Sequence, residues 1–558
     1  MTVTSFYFFL LLAVGVLLYY LLPHRIQWVV LTVLSVVFYF AAATPYTMLF
    51  LLAATLITYG STLYISARRT EDGTVPKLVS AVAVSAIFLN TLLWFLLKGS
   101  SFWILGSGLI HRAVPAFPIL PALPWVGALG MGYYTAQVIG YILDVLWGTA
   151  PVQRNPLKLF LFVSFFPQLT VGPISRYQDF SKVYEPHAFS YENICFGTQR
   201  ILWGLFKKLV IADRVGVIIS SIWAESTAGL WPWIAVFLYP LQIYTDFSGC
   251  MDIVLGAAEL FDIHLAENFK NPFFSRTCQE FWQRWHITLG GWARDYVFYP
   301  FMKSRWLVSF SRKTKKKFGK RWGKFLPWCV ANAVLWFVMG FWHGSVQHIF
   351  GVSLWFWTVL FFSELFQPLC QKITTKLEFK TESFGWHLFQ SLRTYIIYAL
   401  GVVFFSASGL KEALIHYAVL LASLRRPDPW TLFDGTVLSY GATWRDINVL
   451  ILSVLCLTIA DALYLAHEAA FEGGAEAACG SRNRASACAG AFGCSCSSWS
   501  SFLACTVRPT MPAALFIRGS NRRYEEENLK KRRRSAYIPP APRLFVQRSD
   551  MDLPTRVD

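Results

Sequence analysis

Chemistry in this chain has to come from a few polar side chains set in strongly apolar surroundings. The clearest is His343, in VLWFVMGFWHGSVQHIF, held between Trp342 and Gly344 with Met339 and Gly340 about one turn earlier. An ionisable group inside such a run costs several kcal/mol at membrane depth, so it faces a partner or a wet cavity. An uncharged imidazole there can take a proton from a hydroxyl, which is the task of a general base in acyl transfer. The adjacent glycine lets another helix or a ligand approach closely. His286 is the second candidate. It lies in EFWQRWHITLGGWARDY, where Phe281, Trp282, Trp285, Leu289 and Trp292 recur at helical spacing and predict one helix with an aromatic face. His286 shares that face, while Glu280 and Arg284 form a favourable i,i+4 pair to one side. The plain alternative for either histidine is a hydrogen-bonded packing residue. A zinc site is not expected, because His348 is five residues from His343, off the i,i+4 ligand spacing, and no carboxylate completes a triad nearby.

The elements that must position these groups are membrane helices. Of the 558 residues, 55% are hydrophobic and 15% charged, against roughly 25% charged in a soluble protein, which excludes an ordinary soluble enzyme. Apolar runs such as Phe6 to Leu22 and Ile26 to Ala43 recur along the chain, and at about 20 residues per crossing they predict roughly eleven to thirteen membrane segments. The first run lacks a basic flank and a small-residue cleavage site, so it reads as a retained anchor. Arg25, and then Arg68, Arg69 and Lys77, fall on one side if the N-terminus is outside, in keeping with the positive-inside tendency. The net charge of +18 sits in loops, most densely in the stretch from Lys303 to Lys324, which contains SRKTKKKFGKRWGK. That stretch reads as a cytosolic loop against anionic lipid, and no base-stacking fold accompanies it to suggest nucleic acid. The 11 cysteines show no zinc spacing.

Four regions follow. Residues 1–150 are a scaffold of spans, broken at Pro115, Pro118, Pro121 and Pro124. Residues 151–350 carry polar groups within apolar surroundings and are the expected catalytic core. Residues 351–471 resume as spans. Residues 472–558 turn to Ala, Gly, Ser, Cys, Arg and Pro, and read as a disordered tail or as the frame-shifted remnant of a lost last span.

Five motifs in this order carry a family resemblance: FFPQLTVGPISRYQDF at 165–180, QIYTDFSGCMDI at 242–253, ENFKNPFF at 267–274, EFWQRWHITLGGWARDYVFYPF at 280–301 and GFWHG at 340–344. Together they resemble the membrane-bound O-acyltransferase family, in the bacterial branch of the alginate O-acetyltransferase membrane subunit and the teichoic acid D-alanyl transferase. The resemblance implies an all-α, polytopic core around a tunnel, with a re-entrant cytosolic helix, and places the family's invariant histidine on His343 and its second polar position on His286. It implies no bound cofactor. The acyl donor would be acetyl-CoA or an acyl-carrier thioester, and the acceptor an extracytoplasmic partner protein or a cell-surface glycan.

In that scheme His343 activates an acceptor hydroxyl, and His286, with Arg284 or Trp285, orients the donor or stabilises the developing oxyanion. Trp342 beside the base and Asp246 in TDFSG are the further substrate-binding candidates. Asp246 and Ser248, next to Gly249, serve equally well to lock helices by hydrogen bonds. Arg176 in GPISR is expected to meet a lipid phosphate or a carboxylate, and the adjacent Arg294 and Asp295 are expected to need separate partners. The expected activity is O-acetylation of a cell-surface polysaccharide in a bacterial plasma membrane, with D-alanyl transfer to teichoic acid as the alternative. A transporter would show paired, broken repeat halves, and none is visible.

Overall fold

The computed structural model describes residues 1–69, 75–120, 129–225, 229–425 and 427–481. In chain order the helices that matter are α1 (Phe6–Leu21), α2 (Gln27–Ala42), α3 (Met48–Arg68), α4 (Lys77–Lys98), α5 (Ser100–Ala113), α6 (Met131–Trp147), α7 (Pro156–Ser164), α8 (Tyr191–Leu205), α9 (Asp213–Glu225) and α10 (Trp231–Glu259). They continue with α11 (Cys278–Arg284), α12 (Ile287–Ala293), α13 (Arg305–Phe318), α14 (Lys320–His343), α15 (Leu354–Lys376), α16 (Phe384–Ser406), α17 (Leu410–Ser423) and α18 (Trp444–Ser481). The chain is an all-α polytopic membrane protein.

Among the described residues seven helices are long and apolar enough to cross a bilayer, with α1 a shorter apolar helix. The count is lower than the sequence suggested because other apolar runs fold differently. Helix α7 is nine residues long, α6 stops after 17 at Gly148, and α10 carries Asp246, Asp252 and Glu259 within its 29 residues. The spans α1 to α4 expose Leu17, Val33, Leu56 and Phe88 outward, where lipid solvates them, and turn polar groups inward. Thr55, Thr58 and Thr62 are buried and return their hydroxyls to carbonyls four residues back, at 2.7–2.8 Å, so no donor is stranded.

Helices α8 and α10 pack antiparallel and approach backbone to backbone through glycine. A Cβ on Gly204 would lie 2.5 Å from the Gly249 carbonyl, and one on Gly197 2.6 Å from that of Gly256. Only hydrogen fits at these seven-residue intervals. A π-helical turn, Phe206–Ala212, then aims two lysines at α10. Lys207 pairs with Asp252 at 2.5 Å and donates to Ser248 at 3.0 Å, while Arg200 holds Asp252 and Glu267. These buried charges are matched, as membrane depth requires.

Helix α18 runs to Ser481, past the boundary expected at residue 472, and the remainder of the expected tail, 482–558, lies outside the described residues. The break expected at Pro121 and Pro124 also lies outside them; Pro115 and Pro118 follow the end of α5 at Ala113. The scaffold packs directly on the 340s, with Trp94 and Phe341 rings 4.7 Å apart.

Candidate active site

The single helix expected across 280–292 is instead two short helices with a break at Trp285–His286. Thr277 caps α11 by accepting from the Glu280 amide, and Glu280 reaches back to the Arg276 amide and pairs with Arg284 at 3.0 Å. The helix stops because the upstream ENFKNPFF strip takes over the backbone bonds. Lys270 N–H donates to the Arg284 carbonyl at 2.9 Å, and Ile287 N–H to the Asn268 carbonyl at 3.0 Å. His286 itself sits at φ 48°, ψ 51°, a left-handed conformation that costs a non-glycine residue about 1–2 kcal/mol. The break splits the aromatic row. Trp282 and Trp285 stay on one cluster, whereas Trp292 leaves it to donate to the Ala136 carbonyl at 2.8 Å.

Asn268 holds the break. Its Oδ1 accepts from Thr288 N–H at 3.0 Å, from the Thr288 hydroxyl at 2.9 Å and from His286 Nδ1 at 3.2 Å. Because the Thr288 amide can only donate, the oxygen end of Asn268 is fixed, and the His286 proton must sit on Nδ1. Nε2 is left buried without a partner, as an acceptor. An uncharged His286 therefore accepts a hydrogen bond from whatever binds beside it, and in this tautomer it cannot donate to an oxyanion.

His343 closes α14, where Gly344 at φ 84° ends the helix. Its ring stacks on His348 at 4.9 Å and meets the edge of Phe405 at 5.2 Å. His348 is tied to the Ser345 hydroxyl. Among the described residues no group of three or more His, Cys, Asp or Glu side chains is arranged to hold a metal ion.

His286 and His343 line one cavity of about 120 Å³. One wall is Trp282, Trp285, Leu289 and Gly290, another Met339 and Gly340, and a third the Tyr398–Val402–Phe405 stripe of α16. That stripe rises about 10 Å over seven residues, from Trp285 toward His343. Of the other candidates, Trp285 lines the cavity. Arg284 does not: it pairs with Glu280 and reaches the Lys270 carbonyl at 3.4 Å. Trp342 donates to the Gly132 carbonyl at 2.9 Å and lies edge-on to both histidines, behind the lining. Asp246 is engaged by Lys208 at 2.6 Å, and Ser248 by Lys207. Arg176 meets the carboxylate of Asp295 at 2.8 Å. The neighbours Arg294 and Asp295 do pair, at 3.1 Å, against the expectation of separate partners, because the second carboxylate oxygen stays free when Arg176 takes the first. Trp336, Tyr398 and Phe405 were not singled out in the sequence; the 4- and 3-residue spacing of the α16 stripe was the available signal.

The chain is 29% identical over 356 residues to the probable alginate O-acetylase AlgI of Pseudomonas putida, covering 61% of this chain and 68% of that protein. It is 28% identical over 319 residues to the peptidoglycan O-acetyltransferase of Helicobacter pylori, covering 51% and 55%, and 29% identical over 225 residues to the teichoic acid D-alanyltransferase of Bacillus subtilis, covering 39% and 54%. Against the probable alginate O-acetylase AlgI of Pseudomonas syringae the match, 27% identical and covering 53% of this chain, spans about half of the relative, 52% of its length. The family pattern described as MBOAT, membrane-bound O-acyltransferase family, matches residues 35–314, which includes His286 and stops before His343. By that match over half its length, the chain belongs to the membrane-bound O-acyltransferase family.

Proposed function

We propose that the protein transfers an acetyl group from a cytosolic thioester to a hydroxyl of a cell-surface polysaccharide, directly or through an extracytoplasmic partner protein. The observation that carries this reading is the pair of histidines lining one aromatic-walled cavity. His343 takes the acceptor's hydroxyl proton, the oxygen attacks the thioester carbonyl, the C–S bond breaks, and the departing thiolate recovers the proton as the new ester forms. Positioned base catalysis of this kind is worth roughly 10²–10⁴ in rate. His286 Nε2 orients the donor by accepting from an amide N–H of its arm. The apolar walls keep water from the thioester.

The lining of the cavity supports acetyl over D-alanyl. About 120 Å³ is the room of roughly four waters, enough for either acyl group. A D-alanyl group would bring an ammonium into a lining that offers no Asp or Glu to meet it. The names of the relatives support both chemistries, acetyl and D-alanyl.

The test offers purified protein an acceptor glycan together with labelled acetyl-CoA and, separately, together with a D-alanyl carrier thioester. Consumption of acetyl-CoA that falls at least 100-fold in His343→Ala supports the reading. Consumption of the D-alanyl thioester alone, or acetyl-CoA turnover indifferent to His343→Ala, overturns it.

A further inference from the structure

The cavity that holds both histidines also holds hydrogen-bonding atoms that the fold leaves unused. Three side-chain atoms of its lining residues are buried with no partner among the described residues: Nε2 of His286 and the indole nitrogens of Trp282 and Trp336. His286 and Trp336 are each only 6% exposed. Leaving a buried polar group unpaired is costly, and folded proteins rarely do so. Elsewhere this chain pairs its indoles: Trp233, Trp292, Trp342, Trp355 and Trp357 each donate to a backbone carbonyl, at 2.8–3.2 Å. Trp94 and Trp231 also lack a partner, but neither lines the cavity. Trp282 and Trp336 meet edge to face, with rings 4.9 Å apart at 77°, so at most one of their N–H groups can be turned on the other's ring.

The three atoms have a definite polarity. The proton on His286 Nδ1 makes its Nε2 an acceptor, and an indole nitrogen can only donate. One acceptor and two donors are the complement of a single secondary amide, which offers one N–H and the two lone pairs of one carbonyl oxygen. A carboxylate or phosphate would face the acceptor with like polarity, and no Lys or Arg lines the cavity to offset its charge. Position agrees. Trp336 precedes His343 by seven residues on α14, about 10 Å nearer the start of the helix. That start lies in the basic stretch, which the positive-inside tendency puts on the cytosolic side, where the thioester enters. In an extended cysteamine arm the first amide carbonyl lies five bonds from the reacting carbonyl, roughly 6 Å, and the attacking hydroxyl takes up about 3 Å more before His343. The amide therefore falls near the level of Trp336.

We propose that His286, Trp282 and Trp336 read one amide of the donor, the amide nearest its sulfur, and that this amide, not the nucleotide or the carrier, is what the cavity selects. The amide N–H donates to His286 Nε2, and its carbonyl oxygen accepts from the two indoles. This rests on the acyl-transfer reading above and adds the two tryptophans to the role given there to His286.

Two truncated donors test it, each offered with the same acceptor glycan. S-acetyl-N-acetylcysteamine keeps the one amide and lacks the nucleotide, and S-pentyl thioacetate replaces that amide by methylenes at equal length. The wild-type protein should favour the amide donor about tenfold or more in kcat/KM, because the analogue leaves buried polar groups unpaired. Trp282→Phe and Trp336→Phe, which keep a ring and delete the N–H, should each reduce that preference about three- to tenfold, chiefly through KM. Trp94→Phe, which deletes an unpartnered N–H away from the cavity, should keep it. Loss of folded protein cancels in the ratio. Equal use of both donors by the wild type, a preference that survives both cavity substitutions, or one that Trp94→Phe removes equally, overturns the proposal. So does His343-dependent consumption of acetyl-CoA with no use of S-acetyl-N-acetylcysteamine, an outcome that leaves the acyltransferase reading standing. Absence of His343-dependent acetyl-CoA consumption would instead bring down the parent reading.

Discussion

Replacing Asn268 by Ala tests whether one side chain keeps His286 on the cavity. The substitution removes an acceptor used by three donors, the Thr288 amide, the Thr288 hydroxyl and His286 Nδ1, at 2.9–3.2 Å. At about 0.5–1.5 kcal/mol net for each bond, the loss sums to about 2–4 kcal/mol. The left-handed turn at His286, which stores about 1–2 kcal/mol, is then free to relax, and the imidazole leaves its place beside Phe247, 4.9 Å away. Misplacement by about 1 Å costs on the order of 10² in rate, so acetyl transfer should fall about 100-fold alongside a lower melting temperature in detergent. Asn268→Asp keeps an acceptor at the same position, and the Nδ2 it deletes has no partner. Asn268 is fully buried, so the new carboxylate is left without a counter-ion, and Asn268→Asp should also melt below wild type. Acetyl-CoA consumption and thermal melts of the three proteins decide the matter: wild-type values for both in Asn268→Ala would refute this account of the break.

The backbone at His286 makes a second comparison available. His286→Gly should melt above His286→Ala, by about 1–2 kcal/mol, since glycine adopts φ 48° freely; equal melts would contradict the left-handed turn. Asp252→Asn leaves Lys207 buried without its counter-ion and should cost about 3–5 kcal/mol, seen as a collapse in folded yield on size-exclusion chromatography. Gly204→Ala places a methyl 2.5 Å from the Gly249 carbonyl and should destabilise by about 1–3 kcal/mol, whereas Gly216→Ala, whose nearest neighbour is 3.8 Å off, should melt normally.

Much of the architecture is legible in the chain because lipid imposes a length and a polarity on each crossing. The runs that became α2, α3, α4 and α14 are continuous, apolar and closed by turn residues, and Gly344 announces the end of α14 immediately after His343. The break at His286 was not legible. Local spacing around Trp282, Trp285 and Leu289 favours a continuous helix, and what interrupts it is Asn268, 18 residues earlier, whose carbonyl and side chain capture the backbone of Ile287 and Thr288. Asp246 had two readings in the sequence, and its pairing with Lys208 follows from the π-helical turn, which hydropathy does not reveal.

The central claim is that His343 activates an acceptor within a passage that a thioester reaches from the other face. Protein reconstituted in sealed vesicles, with labelled acetyl-CoA outside and the acceptor glycan inside, tests it in one measurement. Labelled ester on the enclosed glycan, lost in His343→Ala, is the predicted result. Ester formed only when both substrates share a compartment, or formed equally by His343→Ala, would contradict the account.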